Sequence, residues 1–201
     1  MKIAVLGKGN VGSALGAGWI SRGHEVVYGV RDLAKEKDTA RTRLVKDATQ
    51  ASEVIVLAVP WNAVPAAIHA AGNLSGKVIL DATNPLLPDL SGLDVPPGTS
   101  GGEQVASLVP GAAVVKIFNT TGYPNMANPD YNGQRATMFY CGDDEAAKKS
   151  AAALAEDLGF EAVDAGPLRQ ARYLEPLAFL WISLALQQGL GVNIAFKLMR
   201  R

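Results

Sequence analysis

The sequence predicts a doubly wound α/β fold, in which helices cover both faces of a mostly parallel sheet. Three observations predict it: short apolar runs rich in valine and isoleucine recur, helix-like stretches separate them, and a glycine-rich turn follows the first run. Most runs lack a polar alternation, which is typical of strands buried on both faces. The six predicted strands are residues 2–6, 25–30, 53–59, 77–82, 113–118 and 136–141.

The stretches between the strands carry residues that favour helix ends. We expect Asn10 to cap the first helix and Gly23 to end it. Asp143 or Asp144 is expected to start an alanine-rich helix, and Gly159 to end that helix. Strand and helix therefore alternate along the chain, as a doubly wound sheet requires.

The length of 201 residues suits one domain with an appendage better than two lobes. The strand pattern stops after residue 165, so we divide the chain into an α/β domain, 1–165, and a C-terminal helical segment, 166–201. This segment is predicted to contain a long apolar helix, roughly 168–188, and a short amphipathic tail.

A membrane span has to be considered for residues 176–196, which carry no charge. Polar residues and glycines interrupt the second half of this stretch: Gln187, Gln188, Gly189, Gly191 and Asn193. The remaining apolar run is too short to cross a bilayer, so we expect no membrane span. We interpret the apolar helix as one that pairs two subunits, and we expect a homodimer.

The composition argues against several classes of partner. Lysine plus arginine and aspartate plus glutamate each number 19, and no basic block occurs, so we expect no nucleic-acid partner. The single cysteine, Cys141, excludes an internal disulfide, and a first strand at residue 2 leaves no room for a secretory signal. A cytoplasmic protein is the simplest interpretation, and no metal site is predicted.

The glycine-rich turn GKGNVG lies between a buried strand and a helix, where a dinucleotide fingerprint belongs. Gly7 would permit the tight turn, Gly9 would let the backbone approach a pyrophosphate, and Gly12 would let the helix pack on the strand. The alternative is that the glycines serve the turn alone. We assign the whole motif to cofactor binding: Gly7, Lys8, Gly9, Asn10, Val11 and Gly12. Residues 1–165 are thus interpreted as an NAD(P)-binding Rossmann domain.

The end of the second strand distinguishes NAD from NADP. Asp32 follows Gly12 by 20 residues, the spacing of a carboxylate that binds the ribose of NAD. The first polar residue beyond the strand is nevertheless Arg31, which could stack on adenine and reach a 2′-phosphate, and Lys35 is placed to help. We favour NADP (NADPH), with Arg31 and Lys35 as its ligands.

Ligands of open α/β sheets bind at the carboxyl ends of the strands, so the residues after each run matter most. The segments VPW, DATNP and NTTG follow three of the runs and should border one crevice. They offer an apolar wall for a nicotinamide and hydrogen bonds to a carboxamide or a second substrate; loop capping is the alternative role. The candidates are Ala58, Val59, Pro60, Trp61, Thr83, Asn84, Asn119 and Thr120.

The predicted site is poor in acids and bases. His24 lies on the wrong side of the sheet, and His69 is expected to be a half-buried structural residue of a helix. Lys116 and Cys141 lie within or at the end of strands and are interpreted as structural. Hydride transfer between two bound redox rings tolerates this lack, because positioning and exclusion of water carry most of the catalysis.

Four motifs, GKGNVG, VPW, CGDDEAAKK and above all DAGPLRQARYLEPLAFLW at 164–181, resemble the NADP-dependent oxidoreductases that act on the deazaflavin coenzyme F420. The cytosolic domain of six-transmembrane ferric reductases is similar as well. The resemblance implies that Arg31 and Lys35 hold the 2′-phosphate and that Pro60 and Trp61 flank the nicotinamide. It also implies that the helix from Leu168 helps to close the site and pairs subunits.

The sequence departs from that family at Val30, where a serine is expected, and at Asp32, where a second basic residue is expected. Asn62 and Ala63 follow the tryptophan in place of a frequent histidine. The hydride acceptor therefore stays open between F420 and a flavin, FMN or FAD.

Two other functions stay open. A reductase of small carbonyl substrates would need a proton donor such as Lys116 or Tyr123 beside the nicotinamide. A sensor without turnover would report NADPH occupancy to a partner protein through the loop 84–102, which is rich in proline and glycine, and the C-terminal helix.

Overall fold

A computed structural model of the chain describes residues 1–36 and 39–201. Ten strands are present among these residues: β1 (Lys2–Leu6), β2 (Glu25–Val30), β3 (Thr42–Leu44), β4 (Val54–Leu57), β5 (Val78–Asp81), β6 (Ala113–Lys116), β7 (Asp130–Tyr131), β8 (Gln134–Arg135), β9 (Thr137–Gly142) and β10 (Glu161–Asp164). The α-helices are α1 (Asn10–Ser21), α2 (Val45–Gln50), α3 (Val64–Ala71), α4 (Gly101–Leu108), α5 (Tyr123–Ala127), α6 (Glu145–Asp157) and α7 (Ala171–Ile182).

Eight of the strands form one sheet, in the order β10-β9-β6-β5-β4-β1-β2-β3. Neighbours run parallel except β6 and β9, which are antiparallel. The predicted α/β fold with a mostly parallel sheet is confirmed. Strand order reverses at β1, which lies between β2 and β4, and this is the place where such sheets bind ligands.

All six predicted strands form, and their ends differ from the predicted ones by at most two residues. The sequence did not predict β3 and β10, because neither strand has a long apolar run. Only Thr42 of β3 is buried, and β10 carries a charge at each end and is only half-buried. Short edge strands of this kind lack the hydrophobic pattern that marks the central ones.

Two apolar layers cover the sheet. Ile3 and Val5 of β1 face the layer that contains Trp19 of α1, whereas Ala4 and Leu6 face the opposite layer. Trp19 is fully buried, and its indole N–H donates to the carbonyl of Leu154 in α6 at 2.9 Å. The alternation along β1 therefore fixes α1 on one face, with its first residue at the carboxyl edge of the sheet.

Most predicted helix ends agree with the structure, with one exception. Gly9, not Asn10, occupies the N-cap of α1, and Asn10 is the first helical residue, so that prediction was wrong. The tight turn after β1 brings the glycine to the helix start. Gly23 follows α1 with φ +84°, and Asp144 caps α6 by accepting from the N–H of Ala147 at 2.8 Å.

The predicted C-terminal helix consists of three parts: a 3₁₀ turn (Leu168–Gln170), α7 and a π-helical turn (Ser183–Gln187). The predicted amphipathic tail is not helical. Its backbone instead packs on α7 and β9. The carbonyl of Ile194 accepts from the indole N–H of Trp181 at 2.7 Å, and the carbonyl of Phe196 accepts from the N–H of Thr137 at 2.9 Å. Within residues 1–36 and 39–201, no helix combines the length and apolarity that a bilayer span needs.

Candidate active site

The glycine-rich turn contains one glycine that packing does not explain. Gly7 has φ +101°, and a Cβ there would lie 2.5 Å from the carbonyl oxygen of Ala58. A Cβ on Gly12 would lie 2.0 Å from the carbonyl oxygen of Gly7. Beside Gly9, by contrast, no heavy atom of the described residues other than Gly9 and its two chain neighbours comes within 4 Å of the Cβ position. Gly7 and Gly12 are required by the fold, whereas Gly9 keeps open a space at the start of α1.

A cleft of about 580 Å³ adjoins this space. Eight residues predicted for the site line it: Gly7, Lys8, Gly9, Arg31, Lys35, Ala58, Val59 and Pro60. Small residues of α3, Ala66 and Ala67, form part of the opposite wall. The cleft thus extends over the carboxyl ends of β1, β2 and β4, which is the expected place for a ligand of this sheet.

Charged side chains surround one end of the cleft. Asp32 accepts from the N–H of Ala34 at 3.0 Å and lies 3.7 Å from the ammonium of Lys35, so its carboxylate caps its own 3₁₀ turn. Lys8 forms an ion pair with Glu36 at 3.4 Å. Arg31 is exposed, and no ion pair within residues 1–36 and 39–201 includes it. This arrangement leaves the guanidinium of Arg31 available to an anion.

The remaining predicted residues do not line this cleft. Asn10, Val11 and Gly12 form the first turn of α1, next to the glycines that line the cleft. Trp61 lies in a 3₁₀ turn after β4. The others lie at the carboxyl ends of β5 and β6 and are half-buried or buried: Thr83, Asn84, Asn119 and Thr120. The predicted residues therefore form two groups, one around the cleft and one packed beneath α7.

A pair of amides joins the loops that follow β5 and β6. The side-chain amide of Asn84 donates to the backbone carbonyl of Asn119 at 3.1 Å. The Asn119 amide donates to the carbonyl of Leu174 at 3.1 Å and makes a longer contact, 3.4 Å, with the side-chain oxygen of Asn84. The second group of predicted residues is thereby tied to α7.

A buried charged cluster, which the sequence analysis did not predict, supports this second group. The ammonium of Lys116 contacts Asp81 at 2.9 Å, Glu175 at 3.0 Å and the carbonyl of Thr83 at 2.7 Å. All three charged side chains are at most 1% exposed. Burial alone would lower the pKa of Lys116, but the charges of Asp81 and Glu175 outweigh it and hold this pKa above its usual value.

The two carboxylates of the cluster each accept further hydrogen bonds. Asp81 accepts from the N–H and the hydroxyl of Thr83, at 3.0 and 2.7 Å. Glu175 accepts from the N–H groups of Gly101 and Gly102, at 2.8 and 2.9 Å. These two glycines are the first residues of α4, so the carboxylate occupies the positive end of that helix.

Gly101 brings the cluster next to the predicted nicotinamide wall. A Cβ on Gly101 would lie 3.1 Å from a Glu175 oxygen, 3.1 Å from Pro85 and 3.2 Å from the ring of Trp61. The cluster and the indole thus meet at one glycine. The signal for the cluster was in the sequence, because each charge interrupts an apolar run: KVILDA, AVVKIF and LEPLAFLW.

The other titratable residues considered in the sequence lie apart from the cleft. His24 pairs with Asp157 at 2.9 Å, and His69 is exposed on α3, so its predicted half-buried role was wrong. Tyr123 is exposed at the start of α5. Burial raises the pKa of Cys141 to about 12, which leaves an unreactive thiol. Among the residues that the structure describes, no three metal-binding side chains cluster together.

Comparisons with known proteins point to one family. The sequence model of the family described as "NADP oxidoreductase coenzyme F420-dependent" matches residues 2–85. A crystal structure from Arthrobacter sp. FB24, provisionally described as an F420-dependent NADP-reductase, is 35% identical, with a TM-score of 0.89 and complete coverage of both chains.

Two further proteins are similar to this chain at lower sequence identity. Metalloreductase STEAP3 from Rattus norvegicus is 28% identical over 180 residues, 88% of this chain, and the match spans only 36% of that protein. A reductive aminase from Aspergillus terreus, solved with NADPH and ethyl levulinate, is 22% identical with a TM-score of 0.67. The match covers 94% of this chain and 62% of the aminase, and it shows a shared fold.

Proposed function

The chain belongs to the family of coenzyme F420-dependent NADP oxidoreductases, and from this premise we propose that it transfers a hydride between NADPH and a deazaflavin or flavin ring. The open space beside Gly9 is the observation that carries the proposal. A glycine turn that served the fold alone would need Gly7 and Gly12, but it would not need a third glycine at this point. A pyrophosphate at the start of α1 would use that space.

The residues around the cleft fit NADP. The backbone of Gly7–Gly12 would hold the pyrophosphate at the positive end of α1, with Lys8, Asn10 and Val11 alongside it. Arg31 and Lys35 would bind the 2′-phosphate at the charged end of the cleft. The carboxylate of Asp32 accepts a hydrogen bond within its own turn, which favours Arg31 as the residue that binds the phosphate on the ribose.

The residues that follow β4 and the second group would together bind the nicotinamide end of NADPH. Ala58, Val59, Pro60 and Trp61 would form an apolar wall that excludes water from the nicotinamide. Thr83, Asn84, Asn119 and Thr120 would supply hydrogen bonds at the carboxyl ends of β5 and β6. NADPH supplies the hydride when bound, and the protein's part is to hold two rings in contact. The proton that the reduced acceptor needs would come from water.

The charged cluster favours a ring acceptor over a small carbonyl. Each donor of the Lys116 ammonium is directed at an oxygen of the protein, and Tyr123 is exposed on α5. Neither residue is placed to donate a proton beside Trp61. An acceptor such as F420, FMN or FAD requires no such donor from the protein. F420 is proposed first, because the family model and the Arthrobacter sp. protein both carry its name.

The test is to titrate the protein with NADPH and then to add one acceptor at a time. Oxidation of NADPH on addition of F420 or of a flavin supports the proposal and identifies the acceptor. Oxidation by a small aldehyde or ketone alone would support a carbonyl reductase. Tight NADPH binding with no oxidation by any of these acceptors would support an NADPH sensor and contradict the proposed transfer.

A matched pair of glycine variants distinguishes a role in NADPH binding from a role in forming the turn. We expect Gly9→Ala to cost about 1 kcal/mol of stability or less and to weaken NADPH binding about tenfold or more, because the methyl group enters the open space. Gly12→Ala should cost about 3 kcal/mol or more, since its Cβ would overlap the backbone of Gly7. Urea unfolding and equilibrium NADPH titration measure the two effects. Unchanged NADPH affinity in Gly9→Ala would contradict the assigned pyrophosphate site.

We also propose a homodimer that forms through the C-terminal helical segment, 166–201, which would help to close the site. Large apolar side chains of this segment support it, since they are 48% to 72% exposed: Tyr173, Leu180, Leu186 and Leu190. Sedimentation at micromolar concentration tests this proposal. The cytoplasmic location stays a prediction from the composition.

A further inference from the structure

One buried oxygen stands out in the second group of predicted residues. Asn119 is 2% exposed, and its side-chain oxygen is the buried side-chain atom that finds no hydrogen-bond partner within residues 1–36 and 39–201. Buried polar groups are almost always paired, so an exception requires an explanation such as a ligand.

The orientation of the Asn119 amide is fixed by its neighbours. Its nitrogen faces two oxygens, the carbonyl of Leu174 at 3.1 Å and the side-chain oxygen of Asn84 at 3.4 Å. Reversing the amide would place its oxygen against both of these acceptors. The unpaired atom is therefore an acceptor, and its partner must be a donor.

The backbone before Asn119 adopts a rare conformation. Phe118 has φ +65°, a left-handed value that is unfavourable for a residue with a large side chain. Its ring is fully buried and packs edge to face on Trp19, with centroids 5.6 Å apart. Packing therefore holds this turn, and the turn sets Asn119 at the carboxyl end of β6. Such strain concentrates at sites that bind or react with ligands.

The strand order indicates which part of a ligand would reach this oxygen. The end of the cleft that contains Arg31 lies at β2, on one side of the reversal of strand order at β1. Asn119 follows β6, on the other side, beyond β4 and β5. A dinucleotide bound across the reversal of strand order places its adenosine on the side of β2 and its nicotinamide on the side of β4 to β6. A hydride acceptor would stack outside the nicotinamide, farther from a buried side chain.

We infer that the side-chain oxygen of Asn119 accepts a hydrogen bond from the carboxamide N–H of the bound nicotinamide, and that Leu174 in α7 holds the amide in this orientation. The inference rests on the proposed function, because it requires that NADPH binds. It adds the reason for the unpaired oxygen: the nicotinamide amide is the donor that completes the site.

The test compares NADPH with its reduced 3-acetylpyridine analogue, in which a methyl group replaces the amide nitrogen. We expect the native protein to bind NADPH about tenfold more tightly than the analogue, because the analogue leaves the buried oxygen unpaired. In Asn119→Ala the two affinities should become equal, through weaker binding of NADPH. The matched control is Asn73→Ala, an exposed asparagine in the turn before β5 at the opposite edge of the sheet, which should keep the preference for NADPH.

The dissociation constants are measured at equilibrium without an acceptor. Equal affinities in the native protein, or an unchanged preference in a folded Asn119→Ala variant, would overturn the inference. If Asn119→Ala does not fold, the same two affinities are measured in the native protein and in a second variant, Asn119→Ser. The native protein should prefer NADPH over the analogue, and Asn119→Ser should lose this preference. An effect of Asn119→Ala on the KM of the flavin or deazaflavin, with no change in NADPH affinity, would also overturn it. Failure of the native protein to bind NADPH would instead contradict the proposed function.

Discussion

Replacing Glu175 with alanine is expected to lower the free energy of unfolding by about 3–5 kcal/mol. The change leaves the ion pair between Lys116 and Asp81 but removes the second carboxylate that accepts from the completely buried ammonium. It also leaves the N–H groups of Gly101 and Gly102 without their acceptor at the start of α4. Urea unfolding followed by circular dichroism measures the loss, and a constant slope with urea shows that the transition stays cooperative.

The same helix offers a matched control for this prediction. Arg172 makes a two-pronged ion pair with Glu103 at 2.6 and 2.8 Å, but its side chain is 43% exposed. We expect Arg172→Gln to cost about 1 kcal/mol or less, because water stabilises both separated charges. Losses of equal size in the two variants would mean that burial of the cluster does not determine its contribution.

Replacing Arg31 with alanine is expected to weaken NADPH binding by about 10- to 100-fold and to leave NADH binding unchanged. The two cofactors differ by the 2′-phosphate, and a hydrogen bond between two charged groups contributes about 1.5–3 kcal/mol. Asp32 cannot take over this role, because a carboxylate repels the phosphate. Fluorescence titration with each cofactor measures the preference directly.

Arg22 provides the control for the Arg31 variant. It is also exposed, but it follows the end of α1, at the edge of the sheet opposite to the cleft. Arg22→Ala should leave both affinities unchanged. A native protein that prefers NADH would contradict the assignment of Arg31, and it would mean that Asp32 binds the ribose hydroxyl groups.

The sheet could be predicted because its central strands are short, continuous apolar runs, which are typical of strands that are buried on both faces. The glycine turn could be predicted for a similar reason, since Gly7 and Gly12 meet steric demands that any side chain would violate. The role of Asn10 was misjudged because a one-residue difference in the helix start is invisible to residue preferences.

The pairing of charges in the buried cluster could not be predicted from the sequence. Asp81, Lys116 and Glu175 belong to segments far apart in the chain, and each was visible only as a single charge in an apolar run. Their pairing depends on the strand order and on where α7 returns to the sheet. The unpaired oxygen of Asn119 is similar, because it depends on the left-handed turn at Phe118, which no local preference of phenylalanine indicates.

The hydrogen bonds from Gly101 and Gly102 to Glu175 join residues 74 and 73 positions apart. Lys116 leaves the ribosome long before this carboxylate does, so for that time its only buried counter-charge would be Asp81. The predicted nicotinamide end can therefore be completed only after α7 has been synthesised and has docked. A nascent chain would have most of its sheet and its glycine turn before it had a finished pocket, because the pocket waits for α7.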